Sequence, residues 1–170
     1  MRKGILIGFL GLFLYGNLSA QQLSNILINV SGKAQYKVSS GNTLIYLDDQ
    51  GKILSVETDA SGEVLYNKNF QPQQAGSLGI QFNYEGWLSQ IGNLFIQYDH
   101  TGRIDKIGDL VFRYNYQNII SSVGNISILY NANRTIDQIG VYKIYYNYSG
   151  KISRIDPSKG LIALQLNFSK

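Results

Sequence analysis

The side chains that could do acid–base, nucleophilic or metal chemistry are few: 170 residues hold one histidine, no cysteine and 11 acidic groups. His100 stands in the run Asp99-His100-Thr101-Gly102, a turn signature, and reads as a solvated loop histidine. A general base needs neighbours that hold and tune it. A Ser-His-Asp arrangement would have to be assembled around that tip, and no nucleophile-elbow motif occurs. Paired carboxylates, the other hydrolytic device, have little to draw on: the glutamates are Glu57, Glu63 and Glu85, and most aspartates fall in turns. Asp48, Asp49 and Asp59 could contribute to a calcium site, but they lack the dense alternating oxygens of a calcium loop, and turn capping accounts for them. The expectation is a non-enzymatic protein with no cofactor and no metal.

Recognition chemistry is better represented. Tyr98, Tyr114, Tyr130 and Tyr146 recur every 16 residues on an apolar face and read as core. Tyr84, Tyr116 and Tyr148 differ: they recur every 32 residues, follow a turn residue, and belong near loop edges. Exposed tyrosines give rigid amphipathic contact area suited to proteins or sugars. With Trp87, these three are the candidate contacts for a protein or glycan partner. The alternative is that each covers its own hairpin.

The elements that would position them come from a repeat, which has to be found first because it assigns the whole chain. Gly76, Gly92, Gly108, Gly124 and Gly140 are spaced by 16. The same step relates Tyr66, Phe82, Tyr98, Tyr114, Tyr130 and Tyr146, and also Leu88, Ile104, Ile120, Ile136 and Ile152. Within a unit, Leu94, Ile96 and Tyr98 alternate with Phe95 and Gln97, the pattern of a half-buried strand. Asp99 to Gly102 suits a type I turn followed by a left-handed residue, the common three-residue hairpin loop. Asn118 replaces the glycine in the next unit; Arg134 departs from the pattern, which predicts a turn shifted by one residue. Gly92-Asn93, Gly108-Asp109 and Gly124-Asn125 suit two-residue reversals.

These turns set Ile91 opposite Leu94 and Tyr98 opposite Ile104, all facing the core. Ile104 and Ile107 are three apart, so a regular strand would place them on opposite faces. A β-bulge at Asp105 and Lys106 removes the conflict, with equivalents at Ser89-Gln90, Ser121-Ser122, Asp137-Gln138 and Ser153-Arg154. The expected fold is all-β: an antiparallel β-meander of short hairpins that coils, rolls toward a barrel, or packs against the N-terminal strands. The rival is a β-solenoid with one coil per unit; the reversing turns favour the meander. Asp48–Gly51 and Asp59–Gly62 repeat the turn signature off the period, residues 71–77 read as a loop, and Leu161–Phe168 reads as a closing strand. Helix-like character after the leader is confined to Gln21–Ile28.

The run Tyr98-Asp99-His100-Thr101-Gly102-Arg103-Ile104 resembles the tyrosine-aspartate (YD) repeat of the RHS and teneurin class, and Tyr146, Asn147, Gly150, Lys151 and Ile152 match it more loosely. The resemblance covers about half the chain. In that family longer and more numerous repeats form a shell around a cargo domain. The resemblance therefore implies a hairpin-repeat scaffold, without enough chain here for encapsulation.

Residues 1–20 have the layout of a signal peptide: Arg2 and Lys3, an apolar run from Gly4 to Tyr15, and a small-residue exit at Ser19-Ala20. That run is too short for a spanning helix, so no permanent membrane anchor is expected. Cleavage near Ala20 leaves one domain, 21–170, with strict repeats over about 76–156, in the periplasm or outside the cell. Removing Arg2 and Lys3 leaves 13 basic against 11 acidic residues. Such balance, with the cations scattered singly, argues against nucleic acid. Spanning barrel strands of about 9–11 residues do not fit a 16-residue hairpin. The function expected is an exported interaction or structural repeat protein, with a glycan-binding module as the alternative.

Overall fold

The computed structural model describes residues 10–12, 22–59, 61–69, 71–157 and 164–166, with side-chain surroundings described over 25–156 apart from 60 and 70. The proposed leader lies outside the described residues except for β1 (Leu10–Leu12). There follow β2 (Gln22–Ile28), β3 (Ala34–Ser40), β4 (Thr43–Leu47) and β5 (Ile53–Thr58). Twelve more are β6 (Val64–Tyr66), β7 (Pro72–Ala75), β8 (Leu78–Phe82), β9 (Leu88–Ile91), β10 (Leu94–Tyr98), β11 (Ile104–Ile107), β12 (Leu110–Tyr114), β13 (Ile120–Val123), β14 (Ile126–Tyr130), β15 (Ile136–Ile139), β16 (Tyr142–Tyr146) and β17 (Ile152–Pro157). The last is β18 (Leu164–Leu166).

Strands β6 to β17 pair in chain order as a 12-stranded antiparallel meander, and a 6-stranded sheet has the order β18-β1-β2-β3-β4-β5. The chain is all-β among its described residues, in two open sheets that do not close into a barrel. The meander is therefore the architecture, and the solenoid is not. The segment with helix-like character, Gln21–Ile28, is strand β2 over Gln22–Ile28, because its apolar residues Ile26 and Ile28 alternate into the core and tertiary burial outweighs a weak local preference. Residues 71–77, read as a loop, contain β7.

The expected register holds. Ile91 faces Leu94, and Tyr98 faces Ile104 with the register shifting between Gln97 and Tyr98, so Asp105 is the extra residue. The same shift leaves Ser89, Ser121, Asp137 and Ser153 unopposed in their strands. Gly92 sits at φ +54° while Asn93 is not at positive φ, the type II′ form of the two-residue reversal. At the other end of each hairpin Asp99 caps its turn: its carboxylate accepts from the Thr101 and Arg103 amides at 2.8 and 3.1 Å. The turn at Asn131 is not shifted. Arg134 itself takes φ +60° and its amide reaches the Asn131 carbonyl at 3.0 Å, because the two flanking strands fix the loop length and Arg134 has to accept the strain.

The two sheets share one core, to which the small sheet gives Ile26, Tyr36, Val38, Ile45 and Leu47, and the large one Ile96, Ile104, Phe112, Ile120, Ile128 and Ile136. They also interlock through main-chain groups. The turn at Asn29–Lys33 offers the Gly32 carbonyl to the Ile136 amide and the Val30 carbonyl to the Ile152 amide, each at 3.0 Å. The turn at Asp48–Lys52 does the same two hairpins earlier: Gly51 accepts from Ile104 at 3.3 Å and Asp49 from Ile120 at 2.8 Å. These amides belong to the residues just before each bulge, where the ladder is interrupted and a buried donor needs another acceptor.

Carbonyls at this same place in the repeat are met by the repeat tyrosines. Tyr98 donates to Leu88, Tyr114 to Ile104, Tyr130 to Ile120 and Tyr146 to Ile136, at 2.8, 2.6, 2.8 and 2.5 Å. Tyr36, fully buried on β3, lies 2.9 Å from the Tyr130 hydroxyl. Since the Tyr130 proton is committed to Ile120, Tyr36 is the donor in that pair. Gly32 and Gly51 are required by this packing: a Cβ at Gly51 would overlap the Tyr114 hydroxyl, and one at Gly32 the Tyr146 hydroxyl.

Candidate functional site

Every long hairpin turn of the large sheet lies at the same end, since the two-residue reversals occupy the other. Tyr84, Tyr116 and Tyr148 each follow the capping asparagine of such a turn, at Asn83, Asn115 and Asn147. They expose 96%, 91% and 112% of their reference area. They stand on alternate hairpins, so at about 4.8 Å per strand successive rings are about 19 Å apart along the sheet. The structure does not gather them into one pocket; it sets them out as a row. Beneath each ring the turn asparagine accepts from the backbone: Asn115 from the Gln117 and Ile119 amides at 2.9 and 3.2 Å, Asn147 from Ser149 and Lys151 at 3.0 Å each, and Asn83 from Trp87 at 2.8 Å.

Trp87 is placed differently. It closes the turn that carries Tyr84, but its ring lies against Gly102 and packs on Tyr98 with centroids 5.1 Å apart and planes tilted by 51°. With Leu88, Tyr98, Thr101, Lys52 and Ile53 it lines a cleft of about 430 Å³ between the β4–β5 hairpin and the large sheet. Trp87 and the tyrosine row are thus two features, joined only through Tyr84.

The remaining sequence candidates are turn residues, apart from Glu57 on β5. His100 is exposed at its tip. Asp48 accepts from the Gln50 and Lys52 amides at 2.9 and 2.8 Å. Asp49 lies beside it, its carboxyl raised by burial and by the Asp48 charge. Glu57 accepts from Tyr46 at 3.2 Å. Among the described residues no three histidine, aspartate or glutamate side chains converge as a metal site would require. In the Tyr98–Ile104 run, Arg103 holds Asp99 through Nε and Nη2 at 2.8 and 2.6 Å and donates from Nη1 to Asn118 of the next turn at 2.8 Å. Its guanidinium stacks 4.3 Å from the centre of the Tyr114 ring. Burial alone would raise the Asp99 carboxyl, but hydrogen bonds from Thr101 and Arg103 outweigh it and hold the group well below the usual carboxylate range. Arg103 is therefore a tie between neighbouring hairpins.

Burial pushes the Tyr98 and Tyr130 hydroxyls up to about 12 and raises Tyr114 as well, so these groups stay protonated donors at neutral pH. Sequence reasoning missed this ladder of hydroxyl donors and the Asn29–Lys33 turn. The second had a signal: Asn29-x-x-Gly32-Lys33 matches Asp48-x-x-Gly51-Lys52. Set beside known proteins, the chain matches no family model, no curated protein and no solved structure.

Proposed function

We propose that this chain is an exported, non-enzymatic repeat scaffold that binds an extended protein partner along the row of Tyr84, Tyr116 and Tyr148. One observation carries the reading: three aromatic rings stand fully in solvent at the same position of alternate, internally hydrogen-bonded turns. Placing large apolar rings in water does nothing for the fold, whereas a rigid tyrosine loses little side-chain entropy on contact and anchors interfaces well. A spacing of about 19 Å suits a partner that lies along the sheet rather than a small ligand. The apolar leader and the hairpin-repeat resemblance support a scaffold acting outside the cytoplasm. A polysaccharide could also lie along such a row, with the rings stacking on sugars.

Photo-crosslinking in the native host, with a photoreactive phenylalanine analogue at position 116, tests this reading. The expected result is a discrete protein adduct, lost when Tyr84 and Tyr148 are both changed to alanine. Polysaccharide retention that disappears with Tyr116→Ala and Tyr148→Ala, without any protein adduct, would replace the protein partner by a glycan. Cell fractionation checks export: a cytoplasmic, uncleaved chain overturns that part of the reading.

A further inference from the structure

The interlock between the sheets has a third, unfilled position. Pro72, Leu88, Ile104, Ile120, Ile136 and Ile152 occupy one place in successive units of the large sheet, each just before the bulge. The turn at Asn29–Lys33 serves Ile136 and Ile152, and the turn at Asp48–Lys52 serves Ile104 and Ile120. Continuing by one hairpin, the next turn would offer its carbonyls to Pro72 and Leu88. Pro72 has no N–H to serve, and the Leu88 amide meets no turn carbonyl among the described residues.

The face around this position is only partly covered as well. Val64, Tyr66, Pro72, Ala75, Leu78, Ile80 and Phe82 continue the inward face by register: Val64 pairs Ala75, Ala75 pairs Leu78, and Ile80 pairs the buried Ile91. Yet Val64 is 46% exposed and Ile80 only partly buried, where Ile96, Phe112, Ile128 and Ile144 at the same place in later units are sealed, and Tyr66 is 60% exposed. Beside this face β5 ends the small sheet, with a neighbouring strand on one side only. The cleft with Trp87, Leu88 and Tyr98 lies where the two meet.

We infer that this position binds a β-hairpin of a partner protein, added to the β5 edge with its turn over Leu88 and its apolar side chains on Leu78, Ile80 and Phe82. The two occupied positions supply the chemistry of the occupant: an Asn or Asp turn closed by glycine, whose first carbonyl accepts from the amide, on strands with apolar residues at alternate positions. Strand addition provides main-chain bonds while the alternate side chains provide selectivity. The inference rests on the scaffold reading but uses a different surface from the tyrosine row.

A peptide copying Thr43–Thr58, cyclised at its open end because Thr43 and Thr58 pair there, carries the geometry of an occupied position. Cyclisation matters because an isolated hairpin is at best marginally stable. Trp87, the one tryptophan, reports occupancy by fluorescence. The expected result is a saturable Trp87 change on titrating the full chain. Ile80→Asp should weaken binding at least about tenfold, while Leu88→Pro, which copies Pro72 at the equivalent position, should weaken it about fivefold, the equivalent of one hydrogen bond. Both variants should keep the far-ultraviolet circular dichroism of the parent. The inference is overturned if the folded chain gives no saturable change, if Ile80→Asp leaves the titration unaltered, or if Ile80→Asp instead abolishes a concentration-dependent dimer, which would assign the face to a second copy. Unaltered peptide binding by the triple alanine variant at Tyr84, Tyr116 and Tyr148 keeps the two surfaces distinct. Loss of crosslinking with intact peptide binding counts against the tyrosine row alone.

Discussion

The two ends of the large sheet are built from the same 16-residue unit and have different fates. From β9 to β16 most of the isoleucines are sealed: Ile104, Ile107, Ile120 and Ile136 show almost no exposure. In β6 and β8, Val64 and Ile80, the equivalents of the sealed Ile96, Phe112 and Ile128, remain partly in water, although their register and apolar character are the same. The difference lies in the small sheet, which covers one stretch and stops. A strand's pattern says which side chains share a face; whether that face is dry depends on what lies over it.

The largest effect should separate the two ends directly. Ile104→Ala removes a fully buried side chain and should cost about 3–4 kcal/mol, whereas Ile80→Ala on the uncovered stretch should cost about 1 kcal/mol. Urea unfolding of both variants measures this, and equal costs would erase the distinction.

A second perturbation targets the interlock. Gly51→Ala puts a Cβ against the Tyr114 hydroxyl at a backbone angle of φ +76°, and should cost about 2–3 kcal/mol. Adding Tyr114→Phe removes the overlapping oxygen, so the double variant should be more stable than the sum of the single losses implies. Strict additivity in the double-mutant cycle would show that the close approach is absent.

A smaller loss is expected from Tyr130→Phe, about 1–2 kcal/mol, since it leaves the buried Tyr36 hydroxyl without its acceptor and the Ile120 carbonyl without its donor. Tyr98→Phe, beside the open cleft, should cost less because water can replace the lost donor. Thermal unfolding of the pair ranks them.

Alkali perturbs the same hydroxyls without a substitution. Tyr98 and Tyr130 titrate near 12 in the folded chain against 10 ordinarily. A raised folded value means that their stabilisation is complete below pH 10 and is lost as the pH rises from 10 towards 12. The urea midpoint should fall across that window, and fall less in Tyr130→Phe.

Much of this was legible in the residues. The alternation of Leu94, Ile96 and Tyr98, the spacing of Ile104 and Ile107, and the glycine pairs determine strands, bulges and reversals locally, because each depends on a few adjacent side chains. The place of Tyr84, Tyr116 and Tyr148 at turn edges was legible too, whereas whether each ring covered its own hairpin or stood in solvent was not. What could not be read was long-range. That the Asn29 and Asp48 turns meet Ile136 and Ile104, that Tyr36 donates to Tyr130, and that Trp87 leans on Gly102 all depend on how two sheets stack. Arg134 misled for a related reason, since the strands on either side held the loop length against a local preference.

Amide hydrogen exchange, resolved residue by residue in the native protein, tests the interlock most directly. The amides of Ile104, Ile120, Ile136 and Ile152, held by turn carbonyls, should exchange slowly, and that of Leu88 at least about tenfold faster. Equal protection at all five, or slow exchange at Leu88 alone, would contradict the two-turn interlock and the vacant third position together.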